Sequence, residues 1–178
     1  MINHDIAGLL GEVTDLMIRL EADHDSQGWD NNPPTIYRIA RENNQLQPSR
    51  CRLGINGQHP RDHLQLLADM TQTSAYAMGE RLTFPSSALA HLLIMESWVN
   101  DTFTSHTERH KDPRDLADIP GSREARFCLA IAGDQMVTLT RVRDDEPSLQ
   151  VVEMSALSGG MCESLKEIHA ASQRVGAW

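Results

Sequence analysis

The residues of this chain that could carry out chemistry are histidines and carboxylates at helical spacing. His106 and His110 are four residues apart, and Asp112 follows them closely. On a helix such side chains share one face, so two imidazoles and a carboxylate could bind a divalent metal. The order is not HExxH, because Thr107 rather than glutamate follows the first histidine. The segment also runs into Pro113, and a solvated polar loop is the simpler interpretation.

A second histidine pair surrounds a predicted helix start. His59 and His63 are also four apart, with Asp62 between them. A helix that begins at Pro60 explains these residues without a metal, because proline has no N–H to leave unsatisfied in the first turn. An acidic side chain is also favourable there. Metal binding stays open at this pair but is not required.

Glu96 interrupts an apolar run that also contains His91. Burying an unpaired carboxylate is costly, so Glu96 with His91 or an arginine partner could form an acid–base site. The alternative places Glu96 near a strand end or on an exposed face, paired across the sheet with Arg126 or Arg141. We favour this alternative.

Motifs for nucleophilic catalysis are incomplete. The run Ser158-Gly159-Gly160 fits neither GxSxG nor a phosphate-binding loop. Cys51, Cys128 and Cys162 are isolated, so neither a disulfide framework nor a CxxC site is expected. We expect no catalytic residue and no cofactor.

Composition narrows the class of protein. The formal charge is −9, with 25 acidic against 16 basic side chains, which disfavours binding to phosphate backbones. Hydrophobic residues make up 40% of the chain, but no window approaches the roughly 18 apolar residues of a membrane span. No signal peptide is evident. We therefore expect a cytoplasmic protein that binds neither nucleic acid nor membrane.

Apolar periodicity defines the elements. Residues 4–22 show one apolar helical face, with Glu21 among the polar residues outside it. A short strand is predicted from Thr35, residues 41–59 are interpreted as a loop with a brief strand at 51–55, and a second helix begins at Pro60. Alternating side chains favour a strand over a helix at 88–99.

The second half predicts an antiparallel meander. Residues 100–123 form a long polar connection. Alternating residues then flank a tight turn at Gly133-Asp134, a third strand covers 149–154, and a closing helix begins near Ser158. The prediction is a single α+β domain over 1–178. It contains one antiparallel sheet of about four to five strands, with N-terminal, central and C-terminal helices packed mainly on one face.

A rigid aromatic corner is the best candidate for an interaction surface. Trp29 precedes Pro33 and Pro34, and Tyr37 follows in the predicted strand. Aromatic residues held by prolines are typical of interfaces. The alternative is that Trp29 packs onto the first helix.

Three segments resemble a family of uncharacterised small proteins from actinobacteria and their phages. Residues 28–37 (GWDNNPPTIY) resemble the family's GWD-x-PP motif before its first strand, and 57–64 (GQHPRDHL) resemble its HP-x-D-x-L helix start. Asp112-Pro113 and then residues 123–126 precede the hairpin in a similar way. The resemblance covers roughly 28–172. It implies an α+β fold and a strand at 88–99, and it implies no established activity or catalytic residue.

Three functions remain open from the sequence. The first is a non-enzymatic protein that binds another protein or forms a homodimer, because an acidic surface attracts basic protein surfaces. The second is a small metal-dependent hydrolase that uses His106 and His110 with Glu108 or Asp112. The third is binding of a small ligand between sheet and helices.

Overall fold

The computed structural model describes residues 3–29, 33–53, 60–77, 88–100, 118–156 and 160–175. In chain order the elements are α1 (Asn3–Ser26), β1 (Thr35–Glu42), β2 (Gln45–Arg52), α2 (Pro60–Ala77), β3 (Ala90–Val99), β4 (Arg123–Ala132), β5 (Gln135–Val142), β6 (Ser148–Glu153) and α3 (Gly160–Val175). A short 3-10 turn, Met154–Ala156, precedes α3. Among the described helices, none has the length and apolar character needed to cross a bilayer.

The six strands form one antiparallel sheet in the order β2-β1-β3-β4-β5-β6. This confirms the α+β class and the single antiparallel sheet, but the prediction of about four to five strands was too low. The interpretation of 41–59 as a loop was wrong over β2, which pairs along its length with β1. Asn43 and Asn44 make the connecting turn at φ values of 48° and 66°, a conformation that asparagine tolerates well.

Helices cover both faces of the sheet, so the expectation that they pack mainly on one face was wrong. The α1 side chains Val13 and Met17 pack on one face, in the same core as Leu92 of β3. Leu64 of α2 and Leu165 of α3 pack on the opposite face, in a second core. The physical reason lies in the strands, which are apolar on both sides and therefore need cover on both.

The predicted strand at 88–99 is confirmed as β3, which lies centrally in the sheet. The predicted turn at Gly133-Asp134 is also confirmed, with Gly133 at a φ of 63° between β4 and β5. The 100–123 connection is described only at its two ends. There the Asn100 side-chain amide donates to the Pro120 carbonyl at 3.3 Å and to the Ser122 hydroxyl at 3.0 Å.

Candidate functional site

The most elaborate polar structure is a buried ion network, formed by Glu21, Asp25, Glu96, Arg126 and Arg141. Arg126 on β4 is 0% exposed and Glu21 on α1 is 1% exposed. Arg126 Nη1 donates to Glu21 Oε1 and to Asp25 Oδ1, both at 3.0 Å. Its Nη2 and Nε donate to Glu96 Oε1 at 2.8 and 3.1 Å. The alternative favoured from the sequence, that Glu96 pairs across the sheet with an arginine, is confirmed.

Glu21 joins two strands to α1. Arg141 on β5 donates through Nε to Glu21 Oε1 at 2.7 Å and through Nη2 to Glu21 Oε2 at 2.8 Å. This paired geometry matches the planar guanidinium to both carboxylate oxygens. Glu21 was expected to fall outside the buried face of the first helix. It is buried because two arginines supply the compensation that a charge needs inside a protein.

The Trp29 corner packs on the network. The Arg126 guanidinium carbon lies 4.4 Å from the centroid of the Trp29 ring, within the range of a cation–π contact. Arg126 Nη2 also donates to the Gly28 carbonyl at 3.3 Å. Gly28 has a φ of 87°, which a residue with a side chain rarely adopts, so it ends α1 and turns the chain toward Trp29. The network thereby holds Gly28 and Trp29 against β4.

Tyr37 and His24 extend this polar region. The Tyr37 hydroxyl lies 2.9 Å from His24 Nε2, and both side chains are buried. Burial, with the nearby Arg126 charge, lowers the pKa of His24. Burial raises the pKa of Tyr37. Each group is therefore held in its neutral form, in which one can donate the shared hydrogen bond to the other.

The network is suited to positioning rather than to proton transfer. Burial by itself would lower the pKa of Arg126, but the hydrogen bonds that it donates to Glu96, Glu21 and Asp25 outweigh this effect and raise it. The hydrogen bonds that Arg141 donates to Glu21 likewise raise the pKa of Arg141. Guanidinium groups so held stay charged. The arrangement fixes α1 and Trp29 on the sheet through two arginines that stay positively charged.

A buried histidine pair lies on the opposite face of the sheet. The Nδ1 atoms of His91 on β3 and His169 on α3 are 3.1 Å apart, and the rings meet edge to face. Burial, with His169 and Arg38 nearby, lowers the pKa of His91 to about 3. Burial also lowers the pKa of His169, and the backbone of Gly133 opposes this by a smaller amount. His169 Nε2 has no hydrogen-bond partner in the described structure.

The acid–base pair considered from the sequence is not assembled. Successive strand residues point to opposite faces, and five positions separate His91 from Glu96. Accordingly Glu96 contacts Arg126 on the α1 side, while His91 contacts His169 on the α3 side. Across the described ranges, no three His, Cys, Asp or Glu side chains are grouped so that they could hold a metal ion.

The other predicted residues are scattered. His106, His110, Glu108, Asp112 and His59 lie outside the described residues. Asp62 is exposed in the first turn of α2, as the helix-start interpretation requires, and His63 is half-buried beside it. The proposed interaction residues do not form one exposed surface, because Tyr37 is buried and the others, Trp29, Pro33 and Pro34, are half-buried.

The two cysteines whose side chains are described, Cys128 and Cys162, take no part in the hydrogen bonds of the ion network or of the histidine pair. Cys128 is fully buried on β4, and burial raises the pKa of its thiol. Burial also raises the pKa of the Cys162 thiol on α3. Both residues are free thiols, on opposite faces of the sheet. Neither has the lowered pKa of a reactive nucleophile.

One helix cannot cover one face of this sheet. Six strands about 4.8 Å apart make a sheet about 24 Å wide, whereas a helix with its side chains is about 10–12 Å across. α1 lies over the middle of the sheet, where Glu21 reaches Arg126 and Arg141. At the β2 end, Leu46 packs against the α1-side core, whereas in the part of the chain that the structure describes no helix covers the α1-side face of β6.

The two open edges differ in chemistry. On β2, Arg50 and Arg52 are exposed and Pro48 interrupts the backbone donors, and both features discourage pairing with another strand. On β6, Leu149 is 45% exposed and Val151 is 59% exposed. Their register partners on β5 belong to the α1-side core, so these two side chains point to the same face as α1.

A third apolar side chain lies toward β6. Ile18 of α1 is 43% exposed and precedes Glu21 by one helical turn. Because Glu21 binds Arg141 on β5, this side of α1 is turned toward the β5–β6 side of the sheet. Among the described residues, three of the four exposed large hydrophobic side chains thus lie on this side: Ile18, Leu149 and Val151, with Leu66 on α2 as the fourth. We call these three side chains and the outer backbone of β6 the β6 surface.

An open hollow adjoins the end of β6. It has a volume of about 640 Å³ and lies where the β4–β5 turn, the end of β6 and α3 meet. Its lining is mixed in charge and polarity: Asp134, Gln135, Glu153, Met154, Ser155, Lys166 and Ala170.

Sequence reasoning missed the partners of the buried groups and the exposure of β6. Arg126 stands at an alternating position in a predicted strand, which signals that its side chain points to one defined face, but not which residues meet it there. His169 offered no signal at all, since its partner lies 78 residues earlier. The signal for β6 was the absence of proline, lysine or arginine within an edge strand.

Comparison of this chain with protein-family models, with curated protein sequences and with solved structures gives no match.

Proposed function

We propose that this chain is a non-enzymatic protein-binding protein, and that it binds an extended segment of its partner along β6. The observation that carries the proposal is the exposure of Leu149 and Val151 on an edge strand that contains no proline, lysine or arginine. Natural sheets usually protect such an edge with charge, proline or a covering element. An unprotected edge next to apolar side chains is typical of a strand-accepting surface.

The β6 surface offers both kinds of contact that strand addition needs. The outer N–H and C=O groups of β6 can pair with a partner backbone, because β5 occupies only one side of the strand. Leu149 and Val151 are two residues apart, so both can contact alternate side chains of an added strand. Ile18 is exposed on the side of α1 that carries Glu21, which binds Arg141 on β5.

The polar clusters support a binding role over a catalytic one. In the ion network, Arg126 and Arg141 are held by carboxylates, and the histidine pair is buried between β3 and α3. Neither cluster presents a nucleophile, a base or an open metal position to solvent. The metal-dependent hydrolase has no described residue in its favour, since His106 and His110 lie outside the described ranges.

The proposal includes a cytoplasmic location. Cys128 and Cys162 are free thiols on opposite faces of the sheet, so these two do not form the disulfide that is common in an oxidising compartment. Burial raises the pKa of both thiols, which keeps them protonated and unreactive.

Selection from a random peptide library displayed on phage tests the function. We expect the protein to select peptides with alternating apolar residues, and we expect Val151→Lys to abolish their binding. Lysine protects natural edge strands, and its side chain would replace the apolar contact. Leu66→Lys is the matched control, because Leu66 is 46% exposed but lies on α2. Loss of binding with Leu66→Lys as well, or selection of no peptide sensitive to Val151→Lys, would contradict the proposal.

A further inference from the structure

We infer that the segment bound along β6 is basic, with two apolar residues at alternate positions between flanking lysines or arginines. The inference rests on the proposed strand binding and adds the chemical class of the partner. Its basis is the distribution of charge around the β6 surface, in which carboxylates stand at both ends of the strand and apolar side chains stand between them.

Acidic side chains surround the start of β6. The turn from β5 contains Asp144, Asp145 and Glu146, all exposed. Asp145 is already paired with Arg123 at 2.9 Å, and Glu146 acts electrostatically on Arg141. Asp144 lies at the tip of the turn and has a φ of 69°. It has no ion pair in the described structure. Arg123, Arg141 and Arg143 lie at the same end, and Arg143 pairs with Glu124, so Asp144 is the carboxylate of this turn that is left to attract a partner.

The other end of β6 repeats this arrangement. Glu153 is the last residue of the strand and is exposed, and Asp134 is exposed in the adjoining β4–β5 turn. Within the described part of the chain, neither of them forms an ion pair. Both line the open hollow of about 640 Å³, which leaves room for a long side chain. The basic residue of this hollow, Lys166, is itself paired with Glu163 at 3.0 Å.

The spacing sets the length of the partner segment. From Glu146 to Glu153 an extended strand covers about 23 Å, at about 3.3 Å per residue. Two basic residues separated by five to seven positions could therefore reach both acidic ends at about that spacing. Leu149 and Val151 stand between them. Because both ends are acidic, the charge pattern accepts a strand in either direction.

The same charges disfavour a second copy of this chain as the occupant. Antiparallel pairing of β6 with itself would bring Leu149 opposite Val151 of the other copy, which is a good apolar match. It would also bring the acidic turn at Asp144 beside Glu153 of the other copy. Each chain carries a formal charge of −9, and like charges across an interface are unfavourable. A basic partner has the apolar match without this repulsion.

Three synthetic peptides test the inference: KKTVTVTKK, EETVTVTEE and KKTNTNTKK, each with acetylated and amidated ends. Binding is followed by the amide chemical shifts of isotope-labelled protein, which detect weak binding and report where it occurs. We expect KKTVTVTKK to perturb β6 and the turns beside it, and to bind at least about tenfold tighter than EETVTVTEE at low salt. KKTNTNTKK should bind more weakly, because it lacks the apolar pair.

Charge variants of the protein give the matched control. Asp144→Asn with Glu153→Gln should reduce the preference for KKTVTVTKK over EETVTVTEE to about threefold or less, because rim charges act through electrostatic attraction. Glu42→Gln with Asp62→Asn removes two exposed carboxylates elsewhere and should leave the preference unchanged. Raising the salt concentration should weaken the binding of KKTVTVTKK and leave the apolar contribution to binding in place.

The outcomes separate this inference from the proposed function. If EETVTVTEE binds β6 as tightly as KKTVTVTKK, or the library yields neutral or acidic peptides sensitive to Val151→Lys, the basic partner is wrong while strand binding stands. If the wild-type protein sediments as a dimer and Val151→Lys as a monomer, β6 binds a second copy and the inference is overturned. If no peptide from any source depends on Val151, both proposals fail.

Discussion

Leu149 lies directly opposite Leu139 in the β5–β6 ladder, yet Leu139 is 3% exposed and Leu149 is 45% exposed. Two identical side chains on the same face of the sheet, one strand apart, thus have different environments. The difference marks the line at which α1 stops covering the sheet.

This pair makes a direct prediction for stability. Leu139→Ala should lower the free energy of unfolding by about 2–5 kcal/mol, because it leaves a cavity under α1. Leu149→Ala should lower it by less than about 1 kcal/mol, because the side chain is already half in water. Urea denaturation followed by circular dichroism measures both. Equal losses for the two variants would show that β6 is covered in solution.

The buried arginine predicts a large loss from a substitution of similar volume. Arg126→Met should cost about 3–5 kcal/mol of unfolding free energy, because Glu21 and Glu96 would each lose a buried cationic partner. Arg41→Met is the matched control. Arg41 binds Glu12 at 2.9 Å in an exposed ion pair, and its loss should cost less than about 1 kcal/mol. Similar costs for the two variants would show that the network is solvated.

The histidine pair predicts a loss of stability in mild acid. Burial lowers the pKa of His91 to about 3, whereas an unfolded histidine titrates near 6.5. Between these values the unfolded chain binds more protons than the folded one, so the free energy of unfolding falls as the pH falls. For His91 the loss between pH 7 and pH 5 should be about 2 kcal/mol. His169, whose pKa is also lowered, acts in the same direction.

A double substitution isolates this effect. His91→Leu with His169→Phe removes both imidazoles and leaves no unpaired ring nitrogen between β3 and α3. The unfolding free energy of this variant should depend less steeply on pH between 7 and 5 than that of the wild type. Equilibrium unfolding at a series of pH values gives the two slopes. An unchanged slope would assign the acid sensitivity to other groups.

Trp29 predicts a structural effect without a binding effect. Trp29→Leu should cost about 0.5–2 kcal/mol, because it removes the cation–π contact with Arg126. Trp29 also approaches the β5–β6 turn, where the Arg143 guanidinium carbon lies 5.9 Å from its ring centroid, but peptide binding at β6 should change by less than about threefold, since Leu149 and Val151 stay in place. Loss of peptide binding with intact stability would instead support the sequence-based hypothesis that Trp29, Pro33, Pro34 and Tyr37 form the interaction surface.

The sequence was informative where one local pattern decides the structure. The apolar face of α1, the alternation in β3 and the Gly133 turn were all readable from neighbouring residues. The β1–β2 turn was missed because Asn43-Asn44 stands inside a polar run, and the β2 edge strand has little apolar alternation. Helices on both faces of the sheet could have been predicted, because the unbroken apolar run in β3 requires cover on both sides.

The remaining features depend on residues far apart in the chain. From the sequence, Glu21 is interpreted as a solvated helix residue. Its burial is explained only by its ion pairs with Arg126 and Arg141. Likewise, Leu149 and Val151 read as ordinary core positions of a strand. Their exposure follows from the width of the sheet and the position of a single helix. Neither the width nor the helix position can be predicted from the local sequence.

The contact between Glu21 and Arg126 joins residues 105 positions apart. At about 5–20 residues per second, a ribosome adds Arg126 roughly 5 to 20 seconds after Glu21. During that interval the Glu21 carboxylate lacks the arginines that compensate its burial. α1 therefore cannot dock in its final position. α1 is synthesised before β4 and docks late. Nascent chains that end before β4 should leave α1 accessible to proteases and chaperones.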